Sequence, residues 1–257
     1  MSISSSASPA AIASSLRPGL FDGRTVLVTG GTSGIGSAIA EAFVALGAEV
    51  VATGATDGEV AAARRSENTA VQFERLDVRD GVAVKDFVAA LPRLDHLVNC
   101  AGVIRRVEEW QPEIFDDVVD INLNGTMRVC SAARPRLAER GGTIVNTASM
   151  LAFFGGGLVP GYSASKGGVV QLTKSLAIAC ASEGVRVNAV APGWIATPLT
   201  NPLREDPQRN GQITGRTAMK RWGEPAEVAG CVLFLSSPLA SFVTGAVLVV
   251  DGGYLVT

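Results

Sequence analysis

One stretch near the amino terminus, Arg24-Thr25-Val26-Leu27-Val28-Thr29-Gly30-Gly31-Thr32-Ser33-Gly34-Ile35-Gly36, decides the fold that the sequence predicts. Its first half is a short run of apolar and β-branched residues, which predicts a buried strand. Residues 37–46 then place apolar side chains at helical spacing, so the glycines fall between a strand and a helix. Unpaired amides at a helix start favour an anion, and glycines let the backbone approach it closely. The stretch therefore predicts a pyrophosphate site, although its glycine spacing departs from the common Gly-x-Gly-x-x-Gly pattern.

Apolar runs alternate with helical stretches along the rest of the chain. Such alternation predicts an α/β fold, a doubly wound parallel sheet of about seven strands with helices on both faces. Ligands bind these sheets beyond the carboxyl ends of the strands, where the strand order reverses. The predicted strands include residues 24–29, 48–52, 71–73, 94–98, 143–146, 185–188 and 246–250.

The composition fits one large domain. The 257 residues are 47% hydrophobic and 18% charged, which is enough to bury a single core. We expect a flexible tail over residues 1–18, rich in Ser and Ala, and a single Rossmann-type domain over residues 19–257. A net charge of -2 offers no basic field for nucleic acid, and no apolar run reaches the ~20 residues of a membrane span. We therefore expect a cytoplasmic protein without nucleic-acid or membrane partners.

No metal site is predicted. The four cysteines, Cys100, Cys130, Cys180 and Cys231, are scattered without metal-ligand spacing, so they are interpreted as reduced thiols. The one histidine, His96, lies inside the fourth predicted strand, which favours a structural role and disfavours a Ser/His hydrolase.

Tyr162 and Lys166 lie four positions apart, so on a helix their side chains share one face. An ammonium group beside a phenol favours the phenolate, and we therefore expect Lys166 to lower the pKa of Tyr162 from its ordinary value of ~10. The pair would then act as an acid and base near neutral pH. From spacing alone, an unrelated surface tyrosine and lysine explain the pattern more simply.

Further motifs occur in a fixed order along nearly the whole chain. They are residues 29–36, Asn99-Cys100-Ala101-Gly102, Asn122, Ser149, Tyr162 with Lys166, Pro192-Gly193 and Val250-Asp251-Gly252-Gly253. In order and spacing this set resembles that of the short-chain dehydrogenase/reductase family, from about Leu20 to the carboxyl end. The resemblance implies an NAD(P)-dependent oxidoreductase that interconverts a secondary alcohol and a ketone.

The resemblance also implies a role for each of four catalytic residues. Ser149 would hold the substrate oxygen, Tyr162 would exchange its proton, and Lys166 would bias Tyr162 and bind the nicotinamide ribose. The matching asparagine of the family, here Asn122, kinks a helix and holds a water molecule, but Asn124 is a near neighbour. Taken singly, a turn serine and a solvent-facing asparagine are the simpler explanations.

A dinucleotide would contact many residues in this resemblance. Asp77 would accept a hydrogen bond from the adenine amino group, and Val78 would flank the ring. Cys100 stands where the family often has a second asparagine. The implied cofactor-binding residues are Gly30, Thr32, Ser33, Gly34, Ile35, Gly36, Asp77, Val78, Asn99, Ala101, Gly102, Tyr162, Lys166, Pro192, Gly193, Ile195 and Thr197.

We expect NAD to be favoured over NADP. An acidic residue after the second strand bonds the adenosine ribose diol, whereas an arginine there would bind a 2′-phosphate. Asp57 and Glu59 follow the second predicted strand, and the nearest bases in the sequence are Arg64 and Arg65. Ser33 stands where NADP-using members of the family often carry a basic residue.

The family forms a mobile substrate lid from the segment that corresponds here to residues around 193–225. Arg105 and Arg106 would approach the same mouth, where guanidinium groups suit a carboxylate, and Trp194 would line it. Together with local similarity to the gluconate 5-dehydrogenase and 2-deoxy-D-gluconate 3-dehydrogenase branch, they predict a sugar acid or related hydroxy acid as substrate. Solvated loop arginines are the alternative.

Two other functions stay open at this point. A carbonyl reductase or alcohol dehydrogenase for neutral ketones would use a hydrophobic cleft formed by Phe153, Phe154, Leu158 and Trp194. A dinucleotide-sensing protein could use the same fold without catalysis. In the family, the helix that carries the tyrosine joins a subunit interface, so a homotetramer is expected. The exact substrate, its stereochemistry and the direction of reaction are not predicted.

Overall fold

Seven parallel strands form one sheet in the computed structural model, which describes residues 8–65 and 70–257. Their order is β3-β2-β1-β4-β5-β6-β7, so it reverses between β1 and β4. The predicted α/β fold is confirmed, and every predicted strand overlaps an observed one. The strands are β1 Thr25–Thr29, β2 Glu49–Gly54, β3 Val71–Arg75, β4 His96–Asn99, β5 Thr143–Thr147, β6 Arg186–Pro192 and β7 Val247–Val250.

Helices cover both faces of this sheet. In the described part of the chain, none is both long and apolar enough to cross a membrane. The α-helices are α1 Pro9–Ala13, α2 Gly34–Ala45, α3 Asp57–Arg64, α4 Gly81–Ala90, α5 Pro112–Val119, α6 Thr126–Ala138, α7 Pro160–Cys180, α8 Asn201–Glu205, α9 Pro207–Arg216 and α10 Pro225–Ser236. A π-helical segment, Asp120–Gly125, joins α5 to α6.

The two-residue period of the strands divides the core into layers. Val26 and Val28 of β1 pack with Phe43 of α2, whereas Leu27 faces the opposite layer with Leu137 of α6. Each large apolar side chain buried in this way contributes about 1.5–3 kcal/mol. Because both faces are covered, the central strands are continuous apolar runs rather than alternating ones.

Part of the predicted amino-terminal tail packs against the domain. Helix α1 contacts α2 and α10, and Ala13 is buried. A helix this short has little stability alone, so tertiary packing, which the Ser- and Ala-rich sequence did not reveal, accounts for it. Residues 1–7 of the predicted tail lie outside the described residues, and the boundary between residues 18 and 19 stays a prediction.

His96 is a structural residue, as its position in the sequence predicted. Its Nδ1 lies 2.8 Å from Thr143 Oγ1, and its ring packs against Phe21 and Phe43. Burial lowers the pKa of His96 to about 4. The imidazole is therefore neutral in the folded protein, at the edge of the sheet opposite the carboxyl ends of the strands.

We expect His96 to make the protein less stable in mild acid. In the unfolded chain the histidine takes up a proton near its ordinary pKa of 6.5, whereas folded His96 does so only near 4. Lowering the pH from 7.5 to 5 should therefore reduce the free energy of unfolding by about 2 kcal/mol through this residue. Urea unfolding at fixed protein concentration, with His96→Asn as the comparison, measures this share. An equal loss in both proteins would exclude a buried neutral histidine as its source.

Candidate active site

A cleft of about 330 Å³ opens at the carboxyl edge of the sheet, where the strand order reverses between β1 and β4. Most of the predicted cofactor-binding residues line it. These are Gly30, Thr32, Ser33, Gly34, Ile35, Gly36, Asp77, Val78, Ala101, Gly102, Tyr162, Lys166 and Thr197. The rest, Asn99, Pro192, Gly193 and Ile195, do not line this cleft.

The glycine turn brings α2 against β1 with no room for side chains. A Cβ on Gly36 would lie 2.2 Å from the carbonyl oxygen of Gly30, and Gly30 itself has a φ of +63°. Ser33 precedes α2 without a side-chain cap, so the first amides of the helix are not bonded by it. An uncapped helix start in an open cleft fits a pyrophosphate.

Asn99 differs from the sequence-based expectation, because its side chain is 3% exposed and bonded inside the sheet. Its Nδ2 donates to Asn146 Oδ1 at 2.9 Å and to Cys130 Sγ at 3.2 Å. Asn99 is the last residue of β4 rather than a loop residue, and its side chain packs between β5 and α6 instead of entering the cleft. The small residues that follow, Ala101 and Gly102, reach the cleft.

Asp77 lines the cleft but is already paired. Arg79 Nη2 lies 2.8 Å from one carboxylate oxygen, and the same guanidinium donates through Nε. This pairing lowers the pKa of Asp77. Its neighbour Val78 is buried against Gly125 of the π-helical segment.

Ser149, Tyr162 and Lys166 converge from two elements. Ser149 follows β5 and is 6% exposed, while Tyr162 and Lys166 lie one turn apart on α7. Lys166 Nζ donates to the carbonyl oxygen of Thr147 at 2.6 Å and lies 5.6 Å from the centroid of the Tyr162 ring. The predicted shared helical face is thus observed.

The expected depression of the tyrosine pKa is wrong for the ligand-free protein. Burial raises the pKa of Tyr162, and the Ser149 hydroxyl only partly opposes this. Lys166 bonds a main-chain carbonyl and lies over the ring. Burial lowers the pKa of Lys166 to about 8. Removal from water is therefore the largest influence on the pKa of both groups.

Asn122, and not Asn124, reaches the site. It sits in the π-helical segment, fully buried, and its amide group bonds both main-chain polar atoms of Val103 at 2.8 and 2.9 Å. Its Nδ2 also donates to Ser165 Oγ at 3.1 Å. Asn124 instead donates to Asp120 at the surface. The resemblance implied a kinked helix at this asparagine, and the chain forms a π-helical turn there.

Arg106 lies close enough to Tyr162 to interact with it electrostatically, whereas the Arg105 amide donates to Glu109 Oε1. The Arg106 guanidinium carbon is 6.0 Å from the centroid of a Trp194 ring. Burial lowers the pKa of Arg106, and the positive charge of nearby Arg209 lowers it further. Among the described residues, the buried Nε1 of Trp194 has no hydrogen-bond partner.

Two other arginines of the predicted lid, Arg216 and Arg221, are already engaged. Arg221 pairs with both carboxylate oxygens of Glu227 at 2.7 and 2.8 Å, and Arg216 lies 4.2 Å from the centroid of the Tyr254 ring. Tyr254 packs within its own chain against Trp194. Sequence reasoning missed Glu109, a buried carboxylate that accepts from Tyr162 N at 2.8 Å.

Comparisons with known proteins agree with this geometry. A family model described as enoyl-(acyl carrier protein) reductase matches residues 30–255. A 2-dehydro-3-deoxy-D-gluconate 5-dehydrogenase of Bacillus subtilis (strain 168) is 40% identical over 91% of this chain and 95% of its own. A galactitol 2-dehydrogenase (L-tagatose-forming) of Cereibacter sphaeroides is 41% identical over 92% and 96%. A crystal structure from Agrobacterium tumefaciens, named as a candidate 2-deoxy-D-gluconate 3-dehydrogenase with bound NADP, is 40% identical, covers 94% and 100%, and has a TM-score of 0.85.

We expect Tyr162 to ionise only above pH 10 in the ligand-free protein, because burial raises its pKa from the ordinary 10.0. The chain has two tyrosines, so in a Tyr254→Phe protein the tyrosinate absorbance reports Tyr162 alone. Circular dichroism must show that the fold persists over the titrated range. Half-ionisation below pH 10 would show that the lysine dominates instead.

Proposed function

Because this chain belongs to the short-chain dehydrogenase/reductase family, we propose that it is an NAD(P)-dependent enzyme that interconverts the secondary alcohol and the ketone of a sugar acid. The convergence of Ser149, Tyr162 and Lys166 beside the cleft at the start of α2 is the observation that carries the proposal. The proposal also includes a single catalytic domain over residues 19–257, a substrate lid over residues 193–225 and a cytoplasmic location.

The proposed chemistry assigns one task to each side chain. During oxidation, Tyr162 takes the proton of the substrate hydroxyl while Ser149 donates a hydrogen bond to the same oxygen. The positive charge of Lys166, close to the Tyr162 ring, stabilises the phenolate whenever it forms. Asn122 holds the main chain of Val103 and the hydroxyl of Ser165, and so fixes the floor of the site. Reduction follows the same proton path in reverse.

A nicotinamide dinucleotide fits the residues of the cleft. The turn at Gly30 and Gly36 and the uncapped start of α2 would hold its pyrophosphate. Lys166 would bind the nicotinamide ribose, and Asp77 and Val78 would lie beside the adenine. When bound, the nicotinamide supplies the hydride acceptor or donor.

Two arginines that form no ion pair among the described residues support an anionic substrate. Arg106 and Arg209 lie close enough to repel each other, and Arg106 also influences Tyr162. A carboxylate between them would relieve this repulsion and could accept a hydrogen bond from Trp194 Nε1. The Arg105 contact in this loop is made by its main-chain amide, which donates to Glu109, so we assign the main role to Arg106.

A neutral substrate is the alternative with specific support. One relative is named a galactitol dehydrogenase, and Phe153 and Leu158 are exposed near the same mouth. An enzyme of that kind would tolerate loss of the arginine charge. A dinucleotide sensor is less well supported, since it has no use for Ser149, Tyr162 and Lys166 together.

A homotetramer is also part of the proposal. The long helix α7 exposes Ile178, which is 81% accessible, and α6 exposes Met127. Large apolar side chains facing water on neighbouring helices are typical of a surface that another subunit covers. Gly168 of α7 packs on Leu123 of its own chain, whereas Gly167 has open space before it.

We expect Arg106→Gln to reduce kcat/KM for gluconate-like acids by about 10- to 100-fold, because a charge-assisted contact is lost. Activity on galactitol should change little. Arg105→Gln is the matched control, since its side chain lacks the contact with Trp194, and it should stay close to wild type on both substrates. Equal losses on acid and polyol, or none on acid, would contradict the sugar-acid assignment.

Tyr162→Phe separates an enzyme from a sensor in the same assay. The protein should bind NAD as the wild type does and lose turnover, because only the phenolic oxygen is removed. A variant that kept turnover would exclude Tyr162 as the proton carrier.

We expect kcat/KM to be higher with NAD than with NADP. The Glu59 carboxylate lines the cleft after β2 and accepts from Ala55 N at 2.7 Å, which places negative charge where a 2′-phosphate is unwelcome. Arg75 also reaches Ala55 and is paired only loosely with Asp57, at 3.6 Å, so NADP is not excluded. Arg75→Gln should therefore increase the preference for NAD. A wild-type kcat/KM that is lower with NAD than with NADP would contradict the expected preference for NAD.

A further inference from the structure

A single buried carboxylate links the loop of Arg106 to the helix of Tyr162. Glu109 is 1% exposed, although glutamate side chains are almost never fully buried without a partner. Its Oε1 accepts from Arg105 N at 2.8 Å, and its Oε2 accepts from Tyr162 N at 2.8 Å. One side chain thus bonds the main chain at both functional segments.

No arginine or lysine of the described residues forms an ion pair with Glu109. Its charge is instead placed at the amino end of α7, a helix of 21 residues whose preceding residue, Val159, supplies no side-chain cap. The positive end of the helix dipole and the unbonded first-turn amide favour a carboxylate there. Glu109 therefore caps α7 from another element.

The loop between Arg105 and Glu109 is held in one conformation. Val107 has a φ of +69°, a region that β-branched residues rarely adopt. Its amide donates to the carbonyl oxygen of Leu158 at 2.8 Å, and Glu109 N donates to Arg105 O at 3.1 Å. Such backbone strain persists where the surroundings fix it and is concentrated at functional sites. The conformation that turns Arg106 over Trp194 is thus imposed from Glu109 and from the residues before α7.

We propose that Glu109 is a positioning residue that fixes Arg106 and Tyr162 relative to each other, so that binding of a substrate carboxylate places the reacting hydroxyl at the phenol. The proposal rests on the proposed function of these two residues. Two charged groups act on the pKa of Tyr162: Glu109 at the helix start raises it, and Arg106 lowers it.

The test compares Glu109→Gln with Glu108→Gln, a neighbouring exposed glutamate. A glutamine can accept only one of the two main-chain bonds. We expect Glu109→Gln to reduce kcat/KM for a gluconate-like acid by about 100-fold, partly through kcat, with the KM for NAD unchanged. In ligand-free protein carrying Tyr254→Phe, the same change should shift the ionisation of Tyr162 to lower pH, because a negative charge is removed.

Each outcome has a distinct meaning. A Glu109→Gln protein with a lower melting temperature but unchanged kinetic constants and unchanged Tyr162 titration would reduce Glu109 to a structural cap and overturn the proposal. If the glutamine variant fails to fold, Glu109→Asp keeps the charge but cannot span both amides, and should lower kcat/KM without moving the titration. A wild-type protein inactive on acids would refute the proposed function, and the titration would still decide whether Glu109 acts on Tyr162.

Discussion

The close contact between the end of β1 and the start of α2 is the constraint on which the site depends. Only glycine at position 36 lets the helix begin beside the Gly30 carbonyl, and only glycine at position 30 lets that turn pass the main chain of Ala101. The cleft itself opens because the strand order reverses between β1 and β4. The helix start, the small residues after β4 and the tyrosine helix all face this one opening.

Burial, more than pairwise attraction, sets the protonation of the proposed catalytic groups. Tyr162 and Lys166 are both moved toward their neutral forms when the cleft holds no ligand. Arg106 and Glu109 then act on the pKa of the phenol in opposite directions. Burial of Tyr162, which the spacing of Tyr162 and Lys166 does not reveal, explains why that spacing alone gives the wrong direction for its pKa.

The sequence was sufficient for the fold class and the positions of the strands, which follow from periodicity, whereas the grouping of Ser149, Tyr162 and Lys166 followed from the family resemblance. It was insufficient where distant segments meet. The burial of Glu109 arises from a loop folding back onto α7, and Arg75 reaches Ala55 through the pairing of β3 with β2. Arg105 and Arg106 are adjacent and chemically identical, so only the folded structure, which places Arg106 over the Trp194 ring, distinguishes them.

The double attachment of Glu109 also bears on how substrate range can diverge among related chains. The loop from Arg105 to Glu109 and the lid lie outside the strands. Their residues can therefore change while the proton-transferring groups stay in place. Yet a loop exchanged between relatives brings its own cap for α7, or leaves that helix uncapped. Grafting specificity by exchanging the loop alone should therefore often yield chains that bind the new compound and turn it over slowly, unless the carboxylate is transferred with it.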